Sequence, residues 1–143
     1  MWLVIFERFL FLFTEHKKDV AQVLVYWNNR SERQSWTAEA ISERLISEVN
    51  AKLNTNMAMI KTLISLLPLL GLLGTVTGMI QVFEAMNHTG GNARSMAAGV
   101  SAATIPTMSG MVATLSGVFA NTFLMSKISD EEEYIKDNLS TDY

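Results

Sequence analysis

The side chains best placed for chemistry in this chain are hydroxyls, and the groups missing beside them are carboxylates. Thr107, Thr114 and Asn121 recur every seven residues, a spacing that returns to one face of a helix every two turns. Thr75 stands between Gly71 and Gly78 in the same kind of segment. Two uses of such hydroxyls are open. Each can bond a carbonyl of its own helix at i−4, or several subunits can contribute a ring that lines a polar lumen. Proton relays within membranes run through Asp, Glu or His, and none occurs from Thr62 to Phe83 or from Ser95 to Ser126. Glu84 and His88 fall between those segments, where a solvated surface role is expected. A proton crossing at this depth therefore needs a titrating group brought by a partner. Other chemistries find no footing. The chain has no cysteine, His16 and His88 are isolated in sequence, and no metal-ligand spacing or Ser-His-Asp set is present. Gly71-Leu72-Leu73-Gly74 precedes no lysine, so it is not a phosphate loop. The expectation is a protein that is not an enzyme and holds no metal or cofactor.

The elements that carry these hydroxyls must cross lipid. The segments 62–83 and 95–126 are uncharged for 22 and 32 residues, whereas about 20 suffice to span a hydrocarbon layer about 30 Å thick. Of the 143 residues 49% are hydrophobic and 17% charged, and the charges are segregated rather than spread over every element. A formal net charge of −3 provides no basic field for nucleic acid. The bilayer itself is the first expected partner.

Four regions follow from this pattern. Residues 1–13 are apolar except for Glu7 and Arg8 and are too short to span as a helix. They lack a basic leader and a small-residue cleavage site, which argues against a signal peptide. They are expected to be the inner end of a truncated first transmembrane helix; the alternative is an interfacial anchor with Trp2 among the headgroups. Glu7 and Arg8 are read as an interfacial pair. Residues 14–61 form a polar, cytoplasmic helical region with seven basic residues. Apolar residues recur in it from Trp36 through Ile41, Leu45, Val49, Leu53, Met57 and Ile60, a helical stripe expected to run unbroken into the first span. Ser31 and Gln34 offer a capping box at its start. Residues 62–126 form the transmembrane hairpin, joined by a link from Glu84 to Arg94 that contains Gly90, Gly91 and Asn92. Residues 127–143 are an acidic tail. Basic residues concentrate before the first span and after the second, so both flanks are expected in the cytoplasm and the link outside. The second span would be about 48 Å long as a helix, which outruns the membrane. The fold expected is an all-α membrane protein whose long transmembrane helices extend into a cytoplasmic helical bundle.

Small residues mark where helices can meet closely in lipid. Gly71, Gly74 and Gly78 share the first span with Thr75. Ala103, Thr107, Gly110, Thr114, Gly117 and Asn121 alternate steps of four and three along the second. That rhythm is a packing seam, for the hairpin itself and for contacts between subunits. Pro68 and Pro106 are expected to bend the two helices, since each removes an N–H from the ladder.

The run Gly71-Leu72-Leu73-Gly74-Thr75-Val76-Thr77-Gly78 resembles the GLLGTVxG signature of the ExbB and TolQ channel subunits, of which flagellar MotA is a more distant relative. The stretch from Gly99 through Ser101-Ala102-Ala103-Thr104-Ile105-Pro106-Thr107 to Gly110 is similar to that family's final helix. Ile5-Phe6-Glu7-Arg8 resembles the end of its first. The resemblance implies three spans, an external N-terminus and a homopentamer in the bacterial inner membrane. It implies a single-span ExbD- or TolR-like partner whose membrane Asp carries the proton, and work delivered to a TonB-like protein. Thr75 and Thr107 match threonines that line the family's lumen, and Thr114 and Asn121 continue that face. The family's glutamate in the last helix falls on Ala102, and Pro106 is a second departure. The function implied is an ExbB-like subunit of a proton-driven motor for TonB-dependent transport. A TolQ-like role in envelope maintenance and a passive membrane scaffold are the alternatives.

Overall fold

The computed structural model describes residues 1–31 and 35–139. Four helices follow one another: α1 (Trp2–Asn28), α2 (Trp36–Asn54), α3 (Met57–Thr89) and α4 (Ala93–Leu139). No strand occurs among the described residues. Gln34, half of the expected capping box, lies outside them. The cap that starts α2 is Ser35, whose backbone is extended and whose hydroxyl accepts the Ala38 N–H at 3.3 Å.

The chain divides into two compact units. The first gathers α1, α2, the start of α3 to Ile60, and α4 from Ala120 onward. Its core is Ile5, Val20 and Trp27 of α1, Ala38, Val49 and Leu53 of α2, and Leu124, Ile128, Ile135 and Leu139 of α4. The apolar stripe is real but starts later than its spacing suggests. Trp36 is 81% exposed, and Ala38 and Ser42 take the inward positions of the first two turns. A cap at Ser35 places Trp36 at the first helical position, and there the helix has not yet turned its buried face inward.

The stripe also does not pass unbroken into the first span. Two residues, Thr55 and Asn56, separate α2 from α3, and Asn56 has φ of 65°, a left-handed conformation that asparagine tolerates better than most residues. Local side chains bond the carbonyls of the last turn: Asn54 Nδ2 donates to Asn50 O and Thr55 Oγ1 to Ala51 O, both at 2.9 Å. Arg8 of α1 completes the stop. Its Nη1 donates to Lys52 O at 2.9 Å and reaches Leu53 O at 3.5 Å. Its Nε and Nη2 hold the Glu7 carboxylate, each at 3.2 Å, and its guanidinium lies 4.5 Å from the centroid of the Phe11 ring. Arg8 is 5% exposed while Glu7 stays largely exposed, so the arginine of this pair clamps the end of α2.

The second unit, Lys61–Phe119, is the hairpin. Both helices run through their prolines, Pro68 and Pro106. The link is shorter than the interval between charged residues implies. Helix continues to Thr89, and the reversal takes only Gly90–Asn92. Gly90 adopts φ of 63° and donates its N–H to Met86 O, a helix-ending geometry that glycine accepts without strain. Asn92 then caps α4 by accepting the Ser95 N–H at 2.9 Å. With 47 residues, α4 is about 70 Å long.

Windows of mean hydropathy 2.0 and 1.3 lie in the helical stretches Trp36–Thr89 and Ala93–Leu139, and only 11% of either window is buried within the chain. A core helix of a water-soluble protein would hide these residues. Here Leu69, Leu70, Leu73, Ile80 and Phe83 of α3 and Met108, Val112, Leu115 and Phe119 of α4 are exposed. Hydrocarbon is the solvent that such a surface fits, and the chain is an all-α membrane protein.

Candidate functional site

Within the hairpin the two helices meet along a line of missing side chains. A Cβ built on Gly71 would lie 3.0 Å from Pro106 O, 3.2 Å from Thr107 Cα and 3.3 Å from Gly110 Cα. Reciprocally, a Cβ on Gly110 would lie 2.9 Å from Leu67 O and 3.1 Å from Gly71 Cα. Backbone touches backbone at this level. One turn on, Gly74 receives the Pro106 ring, whose Cβ would be 2.5 Å from a Cβ there. Gly78 then opposes Ala103 at 3.0 Å, and Gly99 opposes Val82 at 2.9 Å. The register is antiparallel, and the sites step along it about a turn at a time.

The close approach brings two hydroxyls onto one carbonyl. Thr75 Oγ1 donates to Gly71 O at 3.3 Å within α3, and Thr107 Oγ1 reaches the same oxygen from α4 at 3.2 Å. The two hydroxyls also hydrogen-bond each other. Three contacts share two protons. At any moment one contact therefore lacks its proton, and rotation of either hydroxyl passes the vacancy to another. Both residues are half-buried. The segment around them has no ionisable side chain, so this cluster is polar and can relay hydrogen bonds but has no group that titrates near neutrality.

The remaining expected site residues are less concentrated. Thr114 Oγ1 donates to Gly110 O at 2.7 Å inside its own helix. Gly117 is buried further along α4. Asn121 belongs to the other unit, where its Oδ1 is buried without a hydrogen-bond partner among the described residues. Glu84 and His88 are exposed near the end of α3.

Two features escaped the reading of residue types. Pro106 was expected only to bend α4, whereas its ring fills the space that Gly74 leaves. The spacing of Gly71 and Gly110 could have signalled this, since an antiparallel pairing there sets position 74 opposite 107 and so beside Pro106. His16, isolated in sequence, is 1% exposed and lies with Nε2 3.2 Å from Glu131 Oε2. Nothing local marks a pairing across 115 residues.

The profile of the MotA/TolQ/ExbB proton channel family matches residues 12–137. Two proteins of Synechocystis sp., both named for an ExbB-like role in biopolymer transport, are similar to the chain. ExbB-like 1 is 36% identical over 88 residues, covering 59% of this chain and 35% of its own length. ExbB-like 3 is 39% identical over 67 residues, covering 44% and 32%. The aligned part thus spans about a third of the length of these curated relatives. No solved structure matches the chain. A glycine seam joining the uncharged stretches of two helices, with a pair of threonines on it, belongs to a chain that is a member of the MotA/TolQ/ExbB proton channel family.

Proposed function

We propose that this chain is an ExbB-like subunit of a proton-driven motor in the bacterial inner membrane, coupling proton entry to TonB-dependent transport across the outer membrane. The observation that carries the reading is the Thr75–Thr107 pair on the Gly71 carbonyl, set in two runs, 62–83 and 95–126, without a single carboxylate. In a homo-oligomer, a pentamer by the family pattern, copies of this seam surround a lumen that Thr75, Thr107, Thr114 and Asn121 line. Their oxygens still have lone pairs to accept a bond, so they can orient water and a protonated carboxyl. The carboxyl itself comes from a single-span ExbD- or TolR-like partner with an Asp at membrane depth, and a TonB-like protein receives the work. Both termini of the hairpin, and the end of the chain, face the cytoplasm, as the distribution of basic residues supports.

Co-expression with such a partner tests this reading. The expected product is one complex with several copies of this chain around fewer copies of the partner, and its proton uptake disappears when the partner's Asp becomes Asn. A stable monomeric hairpin that binds no such partner would instead make the chain a passive scaffold.

A further inference from the structure

Inside the first unit, α1 and the end of α4 enclose a cavity of about 170 Å³ lined by Phe9, Leu12, Phe13, Lys17, Lys127 and Glu131. Its composition changes from one end to the other. Phe9 stacks on Phe13 at 5.5 Å and on Phe123 at 5.5 Å with an interplanar angle of 7°, and Phe13 and Phe123 are 57% and 49% exposed. Lys127 is the first charged residue after the uncharged run of α4, and Lys17 is the first lysine of α1 beyond its apolar half. Two helices therefore leave their apolar stretches at the same cavity, each placing a lysine there, with an outward aromatic surface below.

The lining carries two lysines against one carboxylate, so it is net basic. Glu131 holds the buried His16 ring, and among the described residues neither Lys17 nor Lys127 has an ion-pair partner. Both lysines are exposed. The space is well below the roughly 300–1,000 Å³ of pockets that enclose a whole small ligand. It suits a phosphodiester with its adjoining glycerol carbons, and leaves any longer apolar part outside against the rings.

We propose that this cavity is a binding site for the headgroup of an anionic phospholipid, its phosphate between Lys17 and Lys127 and an acyl chain along Phe13, Phe9 and Phe123. Charge complementarity selects the occupant: basic clefts between membrane helices attract acidic headgroups, and the exposed Phe13 and Phe123 rings offer apolar surface against which an acyl chain packs. The inference rests on membrane residence alone, and it stands whether or not the chain moves protons.

The test is native mass spectrometry of the full chain in detergent with equal phosphatidylglycerol and phosphatidylcholine. The wild type is expected to retain phosphatidylglycerol preferentially, and Lys17→Gln with Lys127→Gln to lower that preference about tenfold. Lys18→Gln with Lys136→Gln removes the same charge at exposed positions away from the cavity and is expected to leave the preference intact. Phe13→Asn should weaken retention of the lipid while leaving the anion preference in place. Equal retention of the two lipids by the wild type overturns the proposal. So does an equal loss in the control pair, which would mean diffuse attraction, or full displacement of the lipid by millimolar inorganic phosphate, which would mean a simple anion site.

Discussion

Gly110→Ala is the sharpest perturbation of the hairpin, because the added carbon meets only backbone. At 2.9 Å from Leu67 O and 3.1 Å from Gly71 Cα, it is about 0.5–0.8 Å inside ordinary contact distances of roughly 3.5–4.0 Å. No side chain can rotate away, so the helices must part by about that amount. The Thr107 bond to Gly71 O, now 3.2 Å, would then stretch past 3.5 Å and cease to be a hydrogen bond. Such a bond within a membrane contributes about 0.6 kcal/mol, and overpacking adds about 1–3 kcal/mol. The expected cost is about 2 kcal/mol in the unfolding free energy, read by titrating the detergent-solubilised protein with sodium dodecyl sulfate. Gly91→Ala serves as the comparison. Its new carbon would meet the Met86 side chain, Cγ at 2.9 Å, and that flexible chain can move away, so a cost below about 0.5 kcal/mol is expected. If Gly110→Ala costs no more than Gly91→Ala, the close backbone approach is not what holds the hairpin.

Three further outcomes follow from other contacts. Arg8→Met should destabilise the protein by about 2 kcal/mol, because it removes the Nη1 donor from the Leu53 carbonyl, leaves the Lys52 carbonyl with only the Thr55 N–H at 3.4 Å and takes away the partner of the Glu7 carboxylate; the same titration measures it. Asn56→Gly should be neutral or slightly stabilising and Asn56→Val should cost at least about 1 kcal/mol, since the left-handed φ penalises a β-branched side chain; an equal effect of the two would remove the backbone from the explanation. A double-mutant cycle between Thr75→Val and Thr107→Val should give a coupling of about 0.6 kcal/mol, and a coupling near zero would mean the two hydroxyls do not depend on each other.

The hairpin and its seam were legible because lipid imposes simple demands. An uncharged run must span, and a face of Gly71, Gly74, Gly78, Ala103 and Gly110 can only be a close contact. Local signals also located the reversal, since Gly90 and Asn92 have the types that end and begin helices. The break at Asn56 was hidden for a physical reason. Leu53, Met57 and Ile60 keep helical phase across it, so periodicity continues while the backbone stops. The stop depends on Arg8, 44 residues before Lys52, and only the folded chain brings them together. The same holds for His16 and Glu131. Trp36 misled in the opposite direction, since an apolar residue at a cap-adjacent position is not bound to face the core. Pro106 shows that a residue read for what it denies the backbone can act through its ring.

The proposed motor depends on the hydroxyls of Thr75 and Thr107 acting as polar groups rather than as filler in a glycine seam. The direct measurement is proton uptake into vesicles containing the assembled complex, comparing Thr75→Ser with Thr107→Ser against Thr75→Val with Thr107→Val. Serine keeps the hydroxyl, and valine keeps the shape. Uptake is expected to persist in the serine form and to fall at least tenfold in the valine form, with both forms assembling normally. Equal uptake in the two forms would contradict the account and reduce the pair to packing.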